Sequence, residues 1–167
     1  DGAGAVIVEE VEEGLGILDF EQKIDGKGAP HLFMPAGGSL KPATAETVAA
    51  NEHCIYQNGQ EVFKNAVREM AEVSRLMLDR NAIDPKDLKL FVPHQANNRI
   101  MEAAAKRLEL PLERMANNIM YYANTTSATL PTAMHQSLEA GKVQKGDYVV
   151  LAAFGAGFTW GGMLMKW

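Results

Sequence analysis

The sequence predicts an α/β fold built on a layered mixed sheet with helices on its faces. Compact apolar runs at 88–93 and 148–154 are typical of strands buried inside a sheet. Apolar residues recur at three- and four-residue steps over 60–80, which is the period of an amphipathic helix. Strands and helices alternate along 167 residues, a length that suits a single domain over 1–167.

The first part of the chain predicts strands and one long loop. Strands are expected at 5–10 and 16–23, joined by a turn at 12–14. Residues 25–42 are rich in Gly, Pro and small polar side chains, which favours a loop. Loops of that length in a compact domain are often functional.

The rest of the chain is predicted to alternate between helices and strands. Helices are expected at 60–80, 95–108 and 127–140, with short helical turns starting at Pro85 and Pro111. Strands are expected at 54–57, 88–93, 118–122, 148–154 and 159–167. The last two strands are expected to pair with each other.

Composition argues against several classes of partner. The formal net charge of -5 disfavours a general nucleic-acid binder, which usually has a basic face. No apolar run approaches the roughly 20 residues of a membrane helix, so no membrane partner is expected. Cys54 is the only cysteine, which favours a reducing, cytoplasmic setting. Because the chain opens on Asp1 and enters an apolar run almost at once, we expect it to begin inside a larger protein.

Metal and nucleotide motifs are absent from the sequence. The histidines form no H-E-x-x-H pair and no Cys/His cluster, so no metal site is expected. Gly155-Ala156-Gly157 does not fit a dinucleotide fingerprint, because Trp160 stands in place of the third glycine and a strand follows. No Walker-A or G-x-S-x-G pattern occurs, and no cofactor is expected.

Two polar residues follow predicted strands. His94 ends the strand at 88–93, and ligands of α/β sheets bind at the carboxyl ends of strands. A histidine that merely caps the strand through a backbone carbonyl fits its position equally well. Asn124 follows the predicted strand at 118–122, where it can cap the next helix or donate to a developing oxyanion. Position alone leaves these alternatives open.

The glycine-rich turn at 154–158 follows a third predicted strand. It is either a tight hairpin that needs glycine at positive φ or a place where a ligand approaches exposed backbone N–H groups. If the three ends meet, they form an oxyanion-stabilising site. Cys54 is interpreted as a small buried hydrophobe rather than a nucleophile.

Three motifs resemble β-ketoacyl-acyl-carrier-protein synthase III. Residues 92–100 (VPHQANNRI) resemble its V-P-H-Q-A-N-x-R-I segment, and 124–127 (NTTS) resemble its N-T-S segment. Residues 154–161 (FGAGFTWG) resemble its closing F-G-G-G-F-T-W-G. Residues 1–5 and 59–64 also fit, in the same order, so the resemblance spans essentially the whole chain.

This resemblance implies the C-terminal half of a thiolase-like fold. The family's nucleophilic cysteine lies on the N-terminal half, which is missing from this chain, and acyl-CoA and malonyl-carrier protein are its substrates. By position, His94 and Asn124 are expected to donate hydrogen bonds to the malonyl thioester carbonyl and to stabilise the enolate. The backbone N–H of Ala156 is expected to hold the acyl-cysteine carbonyl.

The resemblance also implies partners and a binding channel. The expected partners are acyl carrier protein, acyl-CoA, the missing N-terminal half and, in the complete enzyme, a second copy of the chain. The docking segment for the carrier protein is expected to comprise Gln95, Ala96, Asn97, Asn98 and Arg99. The pantetheine channel and the acyl pocket are expected to be lined by Gly59, Phe63, Asn97 and Phe154.

Departures from the family pattern keep alternatives open. Ala123 and Ala156 stand where many members have glycine, and 124–127 contains an additional Thr, which puts chain-length preference in doubt. A condensing enzyme for polyketide or aromatic starters is one alternative, and a non-catalytic half-subunit that binds carrier protein is another. The isolated chain is expected to be inactive in condensation.

Overall fold

The computed structural model describes residues 1–167 and has a four-stranded and a two-stranded sheet. The strands are β1 Gly16–Ile24, β2 Leu32–Phe33, β3 Tyr56–Gln57, β4 Leu88–Pro93, β5 Tyr148–Gly155 and β6 Thr159–Lys166. The helices are α1 Ala45–Ala49, α2 Gly59–Arg80, α3 Asn98–Arg107, α4 Ile119–Tyr122 and α5 Thr129–Glu139. Short 3-10 turns lie at Gly26–His31, Pro85–Asp87, Leu112–Arg114 and Thr126–Ala128.

The main sheet is mixed, as predicted, with strand order β1-β6-β5-β4. β6 pairs antiparallel with both β1 and β5, whereas β5 pairs parallel with β4. Parallel strands need a long crossover, and α3, α4 and α5 supply it between β4 and β5. The antiparallel β5–β6 pair closes through the tight turn between Gly155 and Thr159.

The long helix α2 covers one face of the sheet. Asn58 caps it by accepting from the Glu61 N–H at 3.3 Å, and Asn81 ends it. Its buried stripe packs with α3 and the sheet into a core of 22 buried residues that includes Met70, Met77 and Phe91. Burial of this stripe is the main stabilisation of the layer, since apolar side chains each contribute about 1.5–3 kcal/mol when fully buried.

The other face of the sheet is only partly covered. α5 packs over β4 and β5 in a smaller cluster that includes Leu90, Val92 and Ala133. Side chains of β4 therefore enter both clusters, which confirms the prediction that this strand is buried on two faces. Over β1 the same face is open, and Phe20 and Ile24 are 64% and 77% exposed.

The predicted strand at 5–10 is wrong. These residues form no ladder with any strand, and Val6, Ile7 and Val8 are largely exposed. The segment runs beside the start of α5, where a side chain at Gly4 would overlap Pro131. It pairs with neither edge strand of the main sheet, β1 or β4, and its apolar side chains enter no packed layer.

The predicted strand at 118–122 is also wrong, because these residues form one turn of helix, α4. The Tyr122 N–H bonds the Asn118 carbonyl, and the Ala123 N–H bonds the Ile119 carbonyl. Met120 and Tyr121 are 78% and 84% exposed, so this aromatic run packs on no sheet face. Asn124 thus follows a helix, not a strand.

Several boundaries differ from the predictions. The predicted loop at 25–42 contains a 3-10 turn and β2, and the strand at 54–57 is reduced to β3. Cys54, predicted to be buried, is exposed. α5 begins only at Thr129, after a 3-10 turn, and the capped helix α1 was not predicted. The predictions for β1, α2, β4, β5, β6 and both proline-led turns are confirmed to within a residue or two.

Candidate functional site

Two adjoining cavities meet at the carboxyl end of β4. One, of about 930 Å³, lies over the open face of β1, β5 and β6. The other, of about 760 Å³, lies between the N-terminal ends of α2 and α3. Four residues line both cavities: His94, Asn124, Phe154 and Gly155. The three predicted site segments therefore come together in space.

His94 is fixed by its backbone and by one side-chain contact. Its N–H bonds the Ala152 carbonyl of β5 at 2.8 Å, which extends the parallel ladder by one residue. Its Nδ1 lies 2.6 Å from Oγ1 of Thr129 at the start of α5. Burial lowers the pKa of His94 below its ordinary value of 6.5, since desolvation disfavours the charged ring. The ring is therefore neutral at physiological pH and carries a single N–H.

Asn124 is held by its own side chain. Its Oδ1 accepts a hydrogen bond from the Thr126 N–H at 2.9 Å, at the first residue of the 3-10 turn. The Oδ1 atom of Asn124 therefore caps the following 3-10 turn, as one of the two interpretations of this residue predicts. The NH₂ group makes no hydrogen bond within the chain, and it remains as a donor beside the cavities.

The backbone around Asn124 is in unusual conformations. Ala123 has φ 55° and ψ -160°, a region that is occupied almost only by glycine. Thr126 also has positive φ, at 54°. Strained backbone of this kind is found at functional sites more often than elsewhere.

The glycine-rich turn presents an aromatic wall. The ring of Phe154 lies 4.8 Å from that of Phe158 and stacks at 6.4 Å on Trp160. Gly157 has φ 136°, and a Cβ there would lie 2.7 Å from a methyl carbon of Thr159, so glycine is required. The Ala156 N–H makes no hydrogen bond within the chain, but Ala156 lines neither cavity, whereas Gly155 lines both.

The second cavity contains the other predicted binding residues. Gly59 and Phe63 of α2 line it together with Ala96, Asn97 and Arg99. The Arg99 guanidinium lies 5.5 Å from the centroid of the Phe63 ring, in a cation–π contact. Arg99 makes no ion pair within the chain, so its charge is available to a ligand.

Gln95 corrects the predicted docking segment. Its side chain is fully buried, donates to the Pro93 and Ala116 carbonyls, and accepts from the Asn118 N–H. Gln95 thus connects β4 to the segment before α4 through hydrogen bonds, and its side chain is not exposed for contact with a carrier protein. This use of Gln95 also explains why α3 begins at Asn98 rather than at residue 95, with Asn97 as its N-cap.

Sequence reasoning missed Thr126 and Thr129, whose groups contact the two predicted donors. His94 and Thr129 are 35 residues apart in the chain, so no local pattern links them. No three or more His, Cys, Asp and Glu side chains are grouped so that they could bind a metal ion. None of the helices has the length and apolar character needed to cross a membrane.

Comparison with known proteins places this α/β architecture among thiolase-like condensing enzymes. The C-terminal domain of 3-oxoacyl-[acyl-carrier-protein] synthase III matches residues 78–167. The β-ketoacyl-[acyl-carrier-protein] synthase III of Koribacter versatilis is 47% identical over the whole chain, which covers 51% of that protein. The chain therefore belongs to the β-ketoacyl-acyl-carrier-protein synthase III family.

Solved structures agree with this assignment. The synthase III of Thermus thermophilus superimposes with a TM-score of 0.83 at 39% identity, over 96% of this chain and 49% of that one. A priming β-ketosynthase of a polyketide biosynthetic pathway gives 0.75 at 28% identity, over 90% and 44%. The chain thus spans about half the length of the relatives that it matches and corresponds to their C-terminal half.

Proposed function

We propose that this chain supplies the decarboxylation and condensation site of a β-ketoacyl-acyl-carrier-protein synthase III. The observation that carries the proposal is the position of His94 and Asn124 at the boundary of two cavities. Asn124 holds its oxygen in a backbone hydrogen bond and leaves its NH₂ free. A neutral histidine and an amide NH₂ together can provide two donors to one oxygen.

The reaction joins an enzyme-bound acyl thioester to a malonyl thioester. The C–C bond to the malonyl carboxylate breaks, carbon dioxide leaves, and the electron pair moves onto the thioester carbonyl as an enolate. Hydrogen bonds from His94 and Asn124 stabilise that oxygen. The enolate carbon then attacks the acyl carbonyl, a new C–C bond forms, and the cysteine thiolate leaves. No cofactor takes part, because both substrates arrive already activated as thioesters.

The second cavity receives the pantetheine arm. Gly59 lacks a side chain and lets the arm pass the start of α2, while Phe63 and Asn97 line its path. Arg99 lies at the rim with its charge uncompensated, which suits the phosphate of the arm and an acidic carrier protein. The exposed docking residues are therefore Asn97 and Arg99, with Ala96 and Asn98 partly exposed beside them.

The nucleophile and the starter pocket complete the site. Cys54 is exposed and lines neither cavity, so the acyl-accepting cysteine comes from the N-terminal half that the relatives possess. Phe154 borders the acyl pocket, and the Ala156 N–H holds the acyl carbonyl once that half closes the site. The complete protein works in the cytoplasm as a homodimer.

A second starter class has a specific observation in its favour. The chain superimposes on a polyketide-priming ketosynthase with a TM-score of 0.75. Starter preference depends on the pocket around Phe154 and on the half of the protein that faces it. A series of acyl-CoA starters, including aromatic ones, distinguishes the two classes by their relative kcat/KM.

The deciding experiment is a condensation assay of the complete polypeptide with acyl-CoA and malonyl-carrier protein. His94→Ala is expected to lower decarboxylation of the malonyl thioester by about 10²–10³, the usual cost of one lost oxyanion donor. His135→Ala is the matched control, since His135 is an exposed histidine of α5 that pairs only with Glu139. Equal decarboxylation by the two variants would contradict the proposal. The isolated chain is expected to give no condensation product.

A further inference from the structure

The helix α4, which directly precedes Ala123 and Asn124, makes few apolar contacts. It is a single turn of four residues, and isolated helices shorter than about 12–15 residues are marginal in water. None of its residues is buried, and only Ile119 packs against the main core cluster. Asn124 is itself exposed, so burial does not fix its position at the cavity boundary. The polar contacts that hold α4 therefore also determine where Asn124 lies.

Gln136 of α5 contacts both ends of α4. Its Oε1 accepts a hydrogen bond from Nδ2 of Asn118, the N-cap residue of α4, at 3.0 Å. Its Nε2 donates to the hydroxyl of Tyr122, the last residue of α4, at 2.9 Å. We propose that Gln136 is a positioning residue that holds α4 at both ends and so sets the position of Asn124. This inference rests on the proposed function, because the position of Asn124 affects the reaction only if its NH₂ donates to the malonyl thioester oxygen.

The elements on both sides of α4 are firmly packed. Ala133 is 2% exposed in the cluster that α5 forms on the sheet, and Gln136 lies one turn later on the same helix. At the start of α4, the Asn118 N–H donates to Oε1 of Gln95 at 2.9 Å, and Gln95 directly follows His94. Asn118 is thus bonded both to α5 and to the neighbour of His94. One set of hydrogen bonds therefore connects the segments that carry the two proposed donors.

The chemistry of Gln136 suggests two contrasting substitutions. Gln136 lines neither cavity, so its influence on a substrate passes through α4. Glutamate at this position still accepts from Asn118, and it can accept the hydrogen of the Tyr122 hydroxyl instead of donating to its oxygen. Leucine loses both bonds and leaves the NH₂ of Asn118, a residue only 4% exposed, without its partner.

The test measures two half-reactions of the complete polypeptide separately. Gln136→Leu is expected to lower decarboxylation of malonyl-carrier protein by roughly 10- to 100-fold, because a misplacement of about 1 Å can cost about 10² in rate. Transfer of the acyl group from acyl-CoA to the cysteine does not use Asn124 and is expected to keep its rate. Gln136→Glu is expected to retain both rates. Tyr122→Phe removes one of the two bonds and should give an intermediate loss of decarboxylation alone.

Hydrogen exchange gives a readout that does not depend on activity. The Ala123 N–H bonds the Ile119 carbonyl at 2.8 Å and closes the turn of α4. Exchange of this hydrogen is expected to be roughly tenfold faster in Gln136→Leu, since two hydrogen bonds that hold the turn are lost. Gln144→Leu is the matched control for exchange and rates, because Gln144 is exposed and only its backbone N–H makes a hydrogen bond. Unchanged exchange in Gln136→Leu would overturn the proposal.

A double-variant cycle with Asn124→Ala shows whether Gln136 acts through Asn124. If it does, Gln136→Leu lowers decarboxylation no further once the Asn124 NH₂ is gone. Additive losses, or equal losses in both half-reactions, would overturn the positioning role. If Asn124→Ala lowers decarboxylation and Gln136→Leu does not, the positioning role fails and the proposed function stands. If Asn124→Ala leaves decarboxylation unchanged, the proposed role of Asn124 fails and the positioning role fails with it.

Discussion

Asn124 Oδ1 accepts a hydrogen bond from the Thr126 N–H at 2.9 Å, so the oxygen and the NH₂ of this side chain have different environments. The oxygen holds the turn that leads into α5, whereas the NH₂ is free at the cavity boundary. If Asn124 acts as proposed, stability and catalysis depend on different atoms of its side chain. Substitutions that replace one atom and keep the other can measure the two contributions apart.

Asn124→Asp is expected to retain the fold and lose the reaction. The carboxylate keeps an oxygen for the Thr126 N–H, but it places negative charge where the enolate forms. We expect an unchanged urea midpoint and a condensation rate lowered by about 10²–10³ or more in the complete polypeptide. Asn124→Ala is the comparison, because it loses the cap as well, at about 0.5–2 kcal/mol of stability. An aspartate variant with wild-type turnover would show that the NH₂ is not a donor to the reaction.

Sequence periodicity predicts the buried layers of this fold well. The stripe of α2 has the helical period over 22 residues, and the apolar runs of β4 and β5 have the length of strands and are bounded by turn residues. The failures at 5–10 and 118–122 are apolar runs that resemble strands but pair with neither edge strand of the sheet, β1 or β4. Pairing is a property of the whole fold, so a short apolar run alone cannot predict it.

The sequence likewise predicts some features of the candidate site and not others. His94 is predictable because strand ends gather at one edge of a sheet. The contact between His94 and Thr129 and the burial of Gln95 depend on how α5 and the segment before α4 pack on β4. Such long-range contacts leave no periodic trace in the sequence. The resemblance to a family supplied residue roles, but it could not reveal that Gln95 faces inward.

Ala123→Gly is expected to stabilise the protein. Ala123 has φ 55° and ψ -160°, a conformation that costs a non-glycine residue about 1–3 kcal/mol. Glycine removes this strain but adds about 0.5–1 kcal/mol of chain entropy to the unfolded state, so the net gain is about 1 kcal/mol. Ala140→Gly at the end of α5 is the control, because Ala140 has an ordinary φ of -76°. Urea unfolding should move the two midpoints in opposite directions, and a shared loss would argue against strain at Ala123.

The stability contribution of His94 is expected to depend on pH. Burial places its folded-state pKa below the ordinary value of 6.5, so the unfolded chain binds the proton more readily. Above pH 6.5 the free energy of unfolding does not depend on the titration of His94. As the pH falls below that value toward the folded-state pKa, protonation of the unfolded chain lowers the free energy of unfolding. We expect the difference in unfolding midpoint between wild type and His94→Gln to be constant at higher pH and to shift against the wild type at lower pH. Parallel midpoint curves across this range would contradict the burial effect.

Arg99→Ala is expected to weaken the binding of malonyl-carrier protein more than the binding of a small malonyl thioester. Arg99 stands 5.5 Å from the Phe63 ring and has no acidic partner, so its guanidinium is free to bind phosphate or carboxylate. Loss of a charge-assisted contact of about 1.5–3 kcal/mol corresponds to roughly a tenfold or greater rise in KM for malonyl-carrier protein. A short malonyl thioester without phosphate or protein should keep its KM, because it does not reach the rim of the cavity. Arg107→Ala is the control, since Arg107 lies at the opposite end of α3 near Glu72. Equal effects of Arg99→Ala on the large and the small substrate would assign Arg99 to the structure of the channel rather than to docking.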